Sequence, residues 1–337
     1  MKRYLGVDLH RTQFMVCTRL ESGRTYLRQW PMRELKLFAA QLRQEDEVAV
    51  ESTGNTRFFY DAVVEHVSHV AVVNPSQFKV ISQSVKKTDK NDAELLALYL
   101  AKGLLPEVRM KERRQREISH LAQTRDLLVK QRSALKTKIN NLLSAEGINL
   151  KKESLSSNKA LERVLSLPLL PLMLVEARVL VGQIRSLNYG IAELEELIEE
   201  EGPKLAGHKN LMSIKGIGPV SAAVLLTAIG RIEDFADVGK LAAYLGLVPR
   251  VQNSNETERS GHITKQGDKL ARTALVQCGL IAKRYSPYLQ KFYQRIQRRR
   301  GGGKANIALA RKLLGVIYYT LKNNWVFADF PNFVLAS

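Results

Sequence analysis

Two short apolar runs that each end in a carboxylate constrain this chain more than any other feature. Tyr4-Leu5-Gly6-Val7 runs into Asp8, and Val48-Ala49-Val50 runs into Glu51. Uninterrupted apolar runs of this length read as strands covered on both faces, and so as parts of a buried, partly parallel sheet. Asp89 and Asp92 follow in Lys86-Lys87-Thr88-Asp89-Lys90-Asn91-Asp92-Ala93-Glu94, where a polar stretch turns helical. Three residues apart, they share a helix face. Acids at the ends of neighbouring strands, met by two more on one helix face, can hold two divalent cations against a phosphate. Singly, each has an ordinary explanation: Asp8 a turn cap, Glu51 a surface acid, Asp89 the N-cap of its helix. As an ordered set on these elements they read as a metal centre. Hard oxygen donors suit Mg²⁺, with Mn²⁺ as the alternative.

The surrounding pattern supports one fold for this region. Residues 3–8, 13–20 and 24–30 read as strands, the second and third joined by the turn Glu21-Ser22-Gly23-Arg24. A helix is expected over 32–44 through Leu35, Phe38, Ala39 and Leu42, then a strand at 47–51, a helix at 57–67 and a strand from His69 to Val73. The helix that continues from Asp92 to Ala101 completes an α/β layer of RNase H type.

Beyond residue 110 the period changes. Leu121, Leu128, Leu135 and Leu142 recur every seven residues within an expected helix over 112–146. A second helix, expected over 173–201, carries a cleaner seam of Leu180, Ile184, Leu187, Ile191, Leu194 and Ile198. A heptad seam reports that a helix is partnered and not by what, so an internal antiparallel hairpin and an oligomerisation arm are both open. The segment between, with Ser154, Ser156, Ser157 and Asn158, reads as an exposed loop. Arg125, Lys130, Arg132, Lys136 and Lys138 line the first helix, either as a solvated face or along a phosphate backbone.

From 208 onward the chain reads as a helical domain. Lys215-Gly216-Ile217-Gly218-Pro219 before an apolar helix is the pattern of a helix-hairpin-helix, whose turn offers backbone N–H groups and a helix N-terminus to a phosphate; a tight turn between packed helices is the plainer reading. A helix is expected at 238–245, a polar loop at 249–262 containing Ser254 and Ser260, and helices near 268–284 and 304–324. Arg298-Arg299-Arg300-Gly301-Gly302-Gly303-Lys304 reads as a flexible basic loop, a disordered turn or a backbone contact. The expected division is 1–110, an α/β catalytic domain; 111–207, coiled-coil helices; and 208–337, an all-α domain.

Charge separates these parts. Of 337 residues, 52 are Lys or Arg and 33 Asp or Glu, a net of +19. Residues 1–110 hold 16 basic and 13 acidic side chains, whereas 211–337 hold 19 and 7. The acid-bearing part is thus nearly neutral and polyanion binding falls to the remainder, pointing to nucleic acid. No run reaches the ~18 apolar residues of a membrane span, and no basic amphipathic helix with an aromatic face argues for a membrane surface. Lys2 and Arg3 lead straight into a strand, so no signal peptide is expected. Cys17 and Cys278 are isolated, which supports neither a disulfide framework nor a zinc site and fits a reducing cytoplasm.

Tyr4-Leu5-Gly6-Val7-Asp8, Val50-Glu51-Ser52-Thr53-Gly54 and Lys87-Thr88-Asp89-Lys90-Asn91-Asp92-Ala93 resemble the signature segments of the DEDD-type insertion-sequence transposases, the one-ten and eleven-eleven insertion-sequence family. Ile214-Lys215-Gly216-Ile217-Gly218-Pro219, Tyr244-Leu245-Gly246-Leu247-Val248-Pro249 and Gly261-His262-Ile263-Thr264-Lys265-Gln266-Gly267-Asp268 resemble that family's second domain, in the same order. The resemblance implies a RuvC-like RNase H domain with Asp8, Glu51, Asp89 and Asp92 as its acids. It also implies a serine nucleophile in the loop after the Leu-Gly-Leu-x-Pro segment. By spacing that serine is Ser254; a glycine often follows the family's serine, whereas Asn255 follows here and Ser260-Gly261 lies close by, which keeps Ser260 open. A hydroxyl needs activation by a base or a metal to act as nucleophile. The resemblance further implies a structured bridge RNA that guides the enzyme to donor and target DNA, and assembly as a dimer or tetramer. Arg259 and Lys265 are candidate phosphate contacts, with a plain surface lysine as the alternative for Lys265. His10 and His262 are read as structural or solvent-facing. Three functions follow: an RNA-guided DNA recombinase with a covalent phosphoserine intermediate; a site-specific invertase or a RuvC-like junction nuclease; and a non-catalytic protein that binds branched nucleic acid.

Overall fold

Arg3–Leu9 forms strand β1, and the sheet of the first unit is built outward from it. The computed structural model describes residues 2–74, 78, 88–150, 155–254 and 257–327; the side chains of 251–254 and 257–260 fall outside that description, as do Lys86, Lys87 and Ser154. The chain divides into two units, Met1–Met110 and Lys111–Ser337.

In the first unit β1 pairs antiparallel with β2 (Gln13–Leu20), which pairs antiparallel with β3 (Thr25–Pro31). On its other edge β1 pairs parallel with β4 (Glu47–Glu51), and β4 with β5 (His69–Val73). The order is β3-β2-β1-β4-β5, with helices α1 (Leu35–Ala39), α2 (Thr56–Val63) and α3 (Asp89–Ala101) between and after the strands in the expected sequence. The helices expected over 32–44 and 57–67 are shorter, each flanked by a tight 3-10 turn, Met32–Glu34 and Val64–His66.

The two sheet faces differ in side-chain size. Leu5, Val7, Phe14, Val16, Val48 and Val50 form one core with Phe38 of α1 and Phe59 of α2, where Phe14 meets both rings edge-on at 5.2 and 5.6 Å. Strand alternation turns Gly6, Ala49 and Ala71 to the other face, where α3 lies on them through Ala93, Leu96 and Ala97. Small residues on both partners bring the backbones of strand and helix together.

The second unit begins with a hairpin of long helices, α4 (Arg113–Ala145) and α6 (Pro171–Glu201). Ala177, Val181, Ile184, Ile191 and Ile198 of α6 are buried, so its seam is filled from within the chain. The cross-links run antiparallel: Arg114 to Glu201 at 3.8 Å, Arg125 to Glu195 at 2.5 Å, Arg132 to Asn188 at 2.9 Å and Lys138 to Glu176 at 3.1 Å. Of the basic stripe of α4, Arg125 and Lys138 are therefore neutralised by the neighbouring helix, Lys130 by Asp126 of its own helix, and Arg132 is held by a neutral amide. The segment expected as an exposed loop contains helix α5 (Asn158–Leu165), capped by Ser157, with Leu155, Leu161 and Val164 buried against Ile139 and Leu143. Its three apolar anchors are too few to register as a period by eye.

The remaining helices share one apolar core with α8 (Pro219–Ile229), in which every residue from Ala222 to Ile229 is buried. They are α7 (His208–Met212), α9 (Val238–Tyr244), α10 (Lys269–Tyr285), α11 (Pro287–Arg300) and α12 (Gly302–Lys322). Two expectations are corrected. The polar loop at 249–262 is a hairpin of β6 (Pro249–Ser254) and β7 (Thr257–Ile263). The flexible basic loop is helical: Arg298, Arg299 and Arg300 form the last turn of α11, where cations suit the helix dipole, and Gly301 at φ 81° joins it directly to α12. Among the described residues no helix is long and apolar enough to cross a membrane. Both cysteines are buried and unbridged, and burial pushes the Cys17 thiol to about 11.

Candidate active site

Val7 of β1 pairs with Val50 of β4, so Asp8 and Glu51 are the next residues along two adjacent parallel strands. Helix α3 brings the other two acids. Its N-cap is Thr88, whose hydroxyl accepts from the Asn91 N–H at 3.3 Å, which corrects the reading of Asp89 as the cap. Asp89 and Asp92 thus stand in the first turn, where the helix dipole favours negative charge. Gly6 sets how close they come. A Cβ at that position would lie 2.1 Å from the Ala93 carbonyl oxygen and 2.4 Å from the Ala97 nitrogen. Only glycine lets α3 rest on β1 two residues before Asp8.

Asp8 and Asp92 are buried, while the Asp89 side chain is half exposed. Burial raises the Asp8 carboxyl above its ordinary range; His10 opposes the shift, and the charges of Asp89 and Asp92 add to it. The His10 imidazole stands between two acids, its Nε2 3.3 Å from Asp8 Oδ2 and 3.3 Å from Asp89 Oδ1. Ligand atoms of Asp8, His10 and Asp89 all lie within 4.8 Å of one another. Glu51 and Asp92 are not part of that trio, although Asp92 is near enough to bear on Asp8. The donor set fits a divalent cation: carboxylate oxygens converge from separate elements, one of them desolvated and repelled by the others, and a bound ion would relieve that repulsion. From the sequence alone His10 reads as structural or solvent-facing. The ring is half exposed, yet it faces the acids, and its place two residues after Asp8 was the available signal.

In the second unit Ser254 is the last residue of β6, opposite Thr257, while Ser260 pairs with Val251 inside the ladder and Arg259 with Gln252. Asn255 and the side chains of Ser254, Arg259 and Ser260 lie outside the described residues. The hairpin is held from below by two glycines. A Cβ on Gly246 would lie 2.2 Å from the Gln266 carbonyl oxygen, and one on Gly267 2.1 Å from that of Tyr244. These two motif segments are packed backbone to backbone, and Arg272 Nη1 ties them by donating to the carbonyls of Leu245, Gln266 and Gly267. Asp268 then caps α10 by accepting from Leu270 and Ala271. Lys265, at φ 56°, lines a cavity of about 670 Å³ with Lys269 and Arg272.

Lys215 and Gly218 are exposed in the turn before α8, and Lys215 Nζ lies 5.8 Å from the Tyr285 ring centre. Gly216 in the same turn is packed on the α10 backbone at Ala282. Arg298, Arg299 and Arg300 are exposed on one helical turn.

Comparison with known proteins covers both units. Residues 5–146 match the DEDD transposase family model, described as a transposase, and residues 208–294 match the "Transposase IS116/IS110/IS902 family". The chain is 26% identical to the transposase for insertion sequence element IS1111A of Coxiella burnetii, over 95% of this chain and 89% of that one. It is 27% identical to a probable family 20 transposase of Pseudomonas aeruginosa, over 94% and 92%. It is also 26% identical to the pilin gene-inverting protein of Moraxella bovis, over 96% and 97%.

Proposed function

Because the chain belongs to the IS110/IS1111 family of DEDD transposases, enzymes of DNA strand transfer with an RNase H-like domain, we propose that it is the recombinase of an insertion sequence, moving its own element through an acid-held metal centre and a covalent serine intermediate. The observation that carries the reading is the convergence of Asp8 and Asp89 from β1 and α3, with Asp92 bearing on the same carboxyl. Asp8, Glu51, Asp89 and Asp92 would hold Mg²⁺, or Mn²⁺ in its place, as the acids of a RuvC-like domain. A cation held there would neutralise charge on the scissile phosphate and so favour attack by a hydroxyl.

Ser254 supplies that hydroxyl. Its Oγ forms a bond to phosphorus as the bond to one deoxyribose oxygen breaks, and the serine proton ends on the displaced strand's hydroxyl. The phosphoserine ester keeps the energy of the phosphodiester, so a different strand's hydroxyl can reverse the step and complete exchange without an external energy source. The end of a strand, just after Leu245-Gly246-Leu247-Val248-Pro249, supports Ser254 over Ser260.

Nucleic acid is held by the second unit. Lys215, Gly216 and Gly218 act as a helix-hairpin-helix turn, with Arg259, Lys265, Arg298, Arg299 and Arg300 as further phosphate contacts. The net positive charge beyond residue 110 supports this assignment. The family resemblance extends the reading to a bridge RNA that chooses donor and target DNA and to a dimer or tetramer, and the two unbridged cysteines fit work in the cytoplasm. A second reading, a site-specific invertase, is favoured by the likeness to the pilin gene-inverting protein.

The test is a covalent adduct. Incubated with Mg²⁺ and DNA carrying the element's ends, the protein should yield a protein–DNA species that survives denaturing electrophoresis. Ser254→Ala should abolish it and Ser260→Ala should not. Cleavage without an adduct would replace the serine mechanism by hydrolysis. Sequencing RNA that co-purifies separates the guided recombinase from the invertase.

A further inference from the structure

We propose that His10 is a nitrogen ligand to a cation in the acid cluster, and that it turns the site's preference toward Mn²⁺ over Mg²⁺. The proposal rests on the metal-centre reading of the acids and deepens it.

His10 is fixed by its backbone before its side chain is considered. It follows the last residue of β1; its N–H donates to the Gln13 carbonyl at 2.9 Å, and its own carbonyl accepts from Asn55 Nδ2 at 3.2 Å. The turn is thus tied both to the start of β2 and to the segment after β4. From there the imidazole reaches back over the strand end, and Nε2 sits 3.3 Å from one oxygen of each of Asp8 and Asp89. Adjacent ligands of a six-coordinate ion with bonds of about 2.1–2.3 Å lie roughly 3.0–3.3 Å apart, so the nitrogen and each oxygen have the spacing of neighbours around one cation. Their common limit of 4.8 Å lets the two oxygens stand across from each other or side by side.

The residue types decide which ion gains. Mg²⁺ prefers oxygen throughout, whereas an imidazole nitrogen is a better donor to the later and softer divalent ions. Replacing one water or carboxylate by His10 therefore favours Mn²⁺. The His10 and Asp89 side chains are each about half exposed, at 48% and 47%, which leaves solvent access for an arriving ion and phosphate.

Pulsed EPR of Mn²⁺ bound to the full-length protein tests the assignment, alongside calorimetric titration of Mn²⁺ and Mg²⁺. The wild type should show nitrogen modulation of the Mn²⁺ signal, and His10→Ala and His10→Gln should both lose it. Mn²⁺ affinity should fall about tenfold or more in these variants, the range seen when metal-site partners are removed, with Mg²⁺ affinity changed less than threefold. A wild-type spectrum without nitrogen coupling, or an equal loss for both ions, would overturn the proposal. Asp8→Asn separates the two layers. If it abolishes Mn²⁺ binding while His10→Ala leaves spectrum and affinity unaltered, the acid centre stands and the histidine's role falls. If Asp8→Asn binds Mn²⁺ as the wild type does, the centre itself is refuted.

Discussion

Asp46 and Asp8, both buried in the first unit, meet opposite surroundings. Asp46 is fully enclosed and accepts from Arg3 Nε and Nη2 at 2.8 and 2.5 Å and from the Arg43 N–H at 2.8 Å. Its charge is matched, as a structural acid requires. Asp8 is deprived of water and faces two further acids, and its carboxyl is raised. A raised carboxyl works against folding: the cost is absent below the unfolded-state pKa and fully present once pH exceeds the folded-state value. In EDTA at pH 7.5, Asp8→Asn should therefore melt at or above the wild-type temperature, by roughly 2–8 °C for each kcal/mol relieved, with the difference shrinking as pH falls toward the carboxylate range. Adding Mg²⁺ or Mn²⁺ should raise the wild-type Tm and not the variant's, while strand cleavage is lost and DNA binding kept. A variant that still cleaves would remove the acid from the chemistry. As candidates, Asp8 and Glu51 were legible because each closes an apolar run, and Asp89 and Asp92 because a polar stretch turns helical there. His10 was not, since a histidine in a turn shows its direction only once β1 and α3 are in place.

Elements were legible in proportion to their periodicity. The long helices appear within two residues of their expected ends because their seams run for many turns. What the heptads could not show was the partner, which proved to be the other arm of the same hairpin. The fully buried Ile184 belongs to that internal seam, so Ile184→Ala should destabilise the second unit by about 2–4 kcal/mol. Calorimetry reads that loss. A sedimentation coefficient that drops instead, with Tm intact, would mean the residue faces another copy. The β6–β7 hairpin was illegible for the opposite reason: Gln252-Asn253-Ser254 and Thr257-Glu258-Arg259-Ser260 carry no apolar alternation. Between these extremes stands Gly6, a glycine inside an apolar strand, which signals close approach without naming what approaches. With Ala93 and Ala97 backbone in the way, Gly6→Ala must push α3 off β1. Overpacking of this kind costs about 1–3 kcal/mol, and the displacement should also weaken metal binding several-fold by titration. Gly6→Ala with wild-type metal affinity would show that the helix can shift without moving Asp89.

At the scale of the molecule, the acid cluster and the excess of positive charge fall in different units. Residues 1–110 carry 16 basic against 13 acidic side chains, and 111–337 carry 36 against 20. Within the second unit some basic side chains are already engaged: Arg125, Lys130 and Lys138 are paired to acids on the hairpin, and Arg272 is committed to carbonyls. Arg298, Arg299 and Arg300 are different, being exposed on the last turn of α11. Phosphate contact by such residues is read from salt, because each neutralised phosphate releases counterions and adds about 0.9 to the slope of log K against log salt. Replacing the three together by alanine should reduce that slope by up to about 2.7 on duplex DNA, weakening binding alike on every sequence. Asp8→Asn, which alters chemistry in the nearly neutral unit, should leave the slope where it was. If the triple variant kept the wild-type slope, these arginines would be serving the end of α11 alone, and the backbone contacts would have to come from Lys215, Lys265 and Arg259.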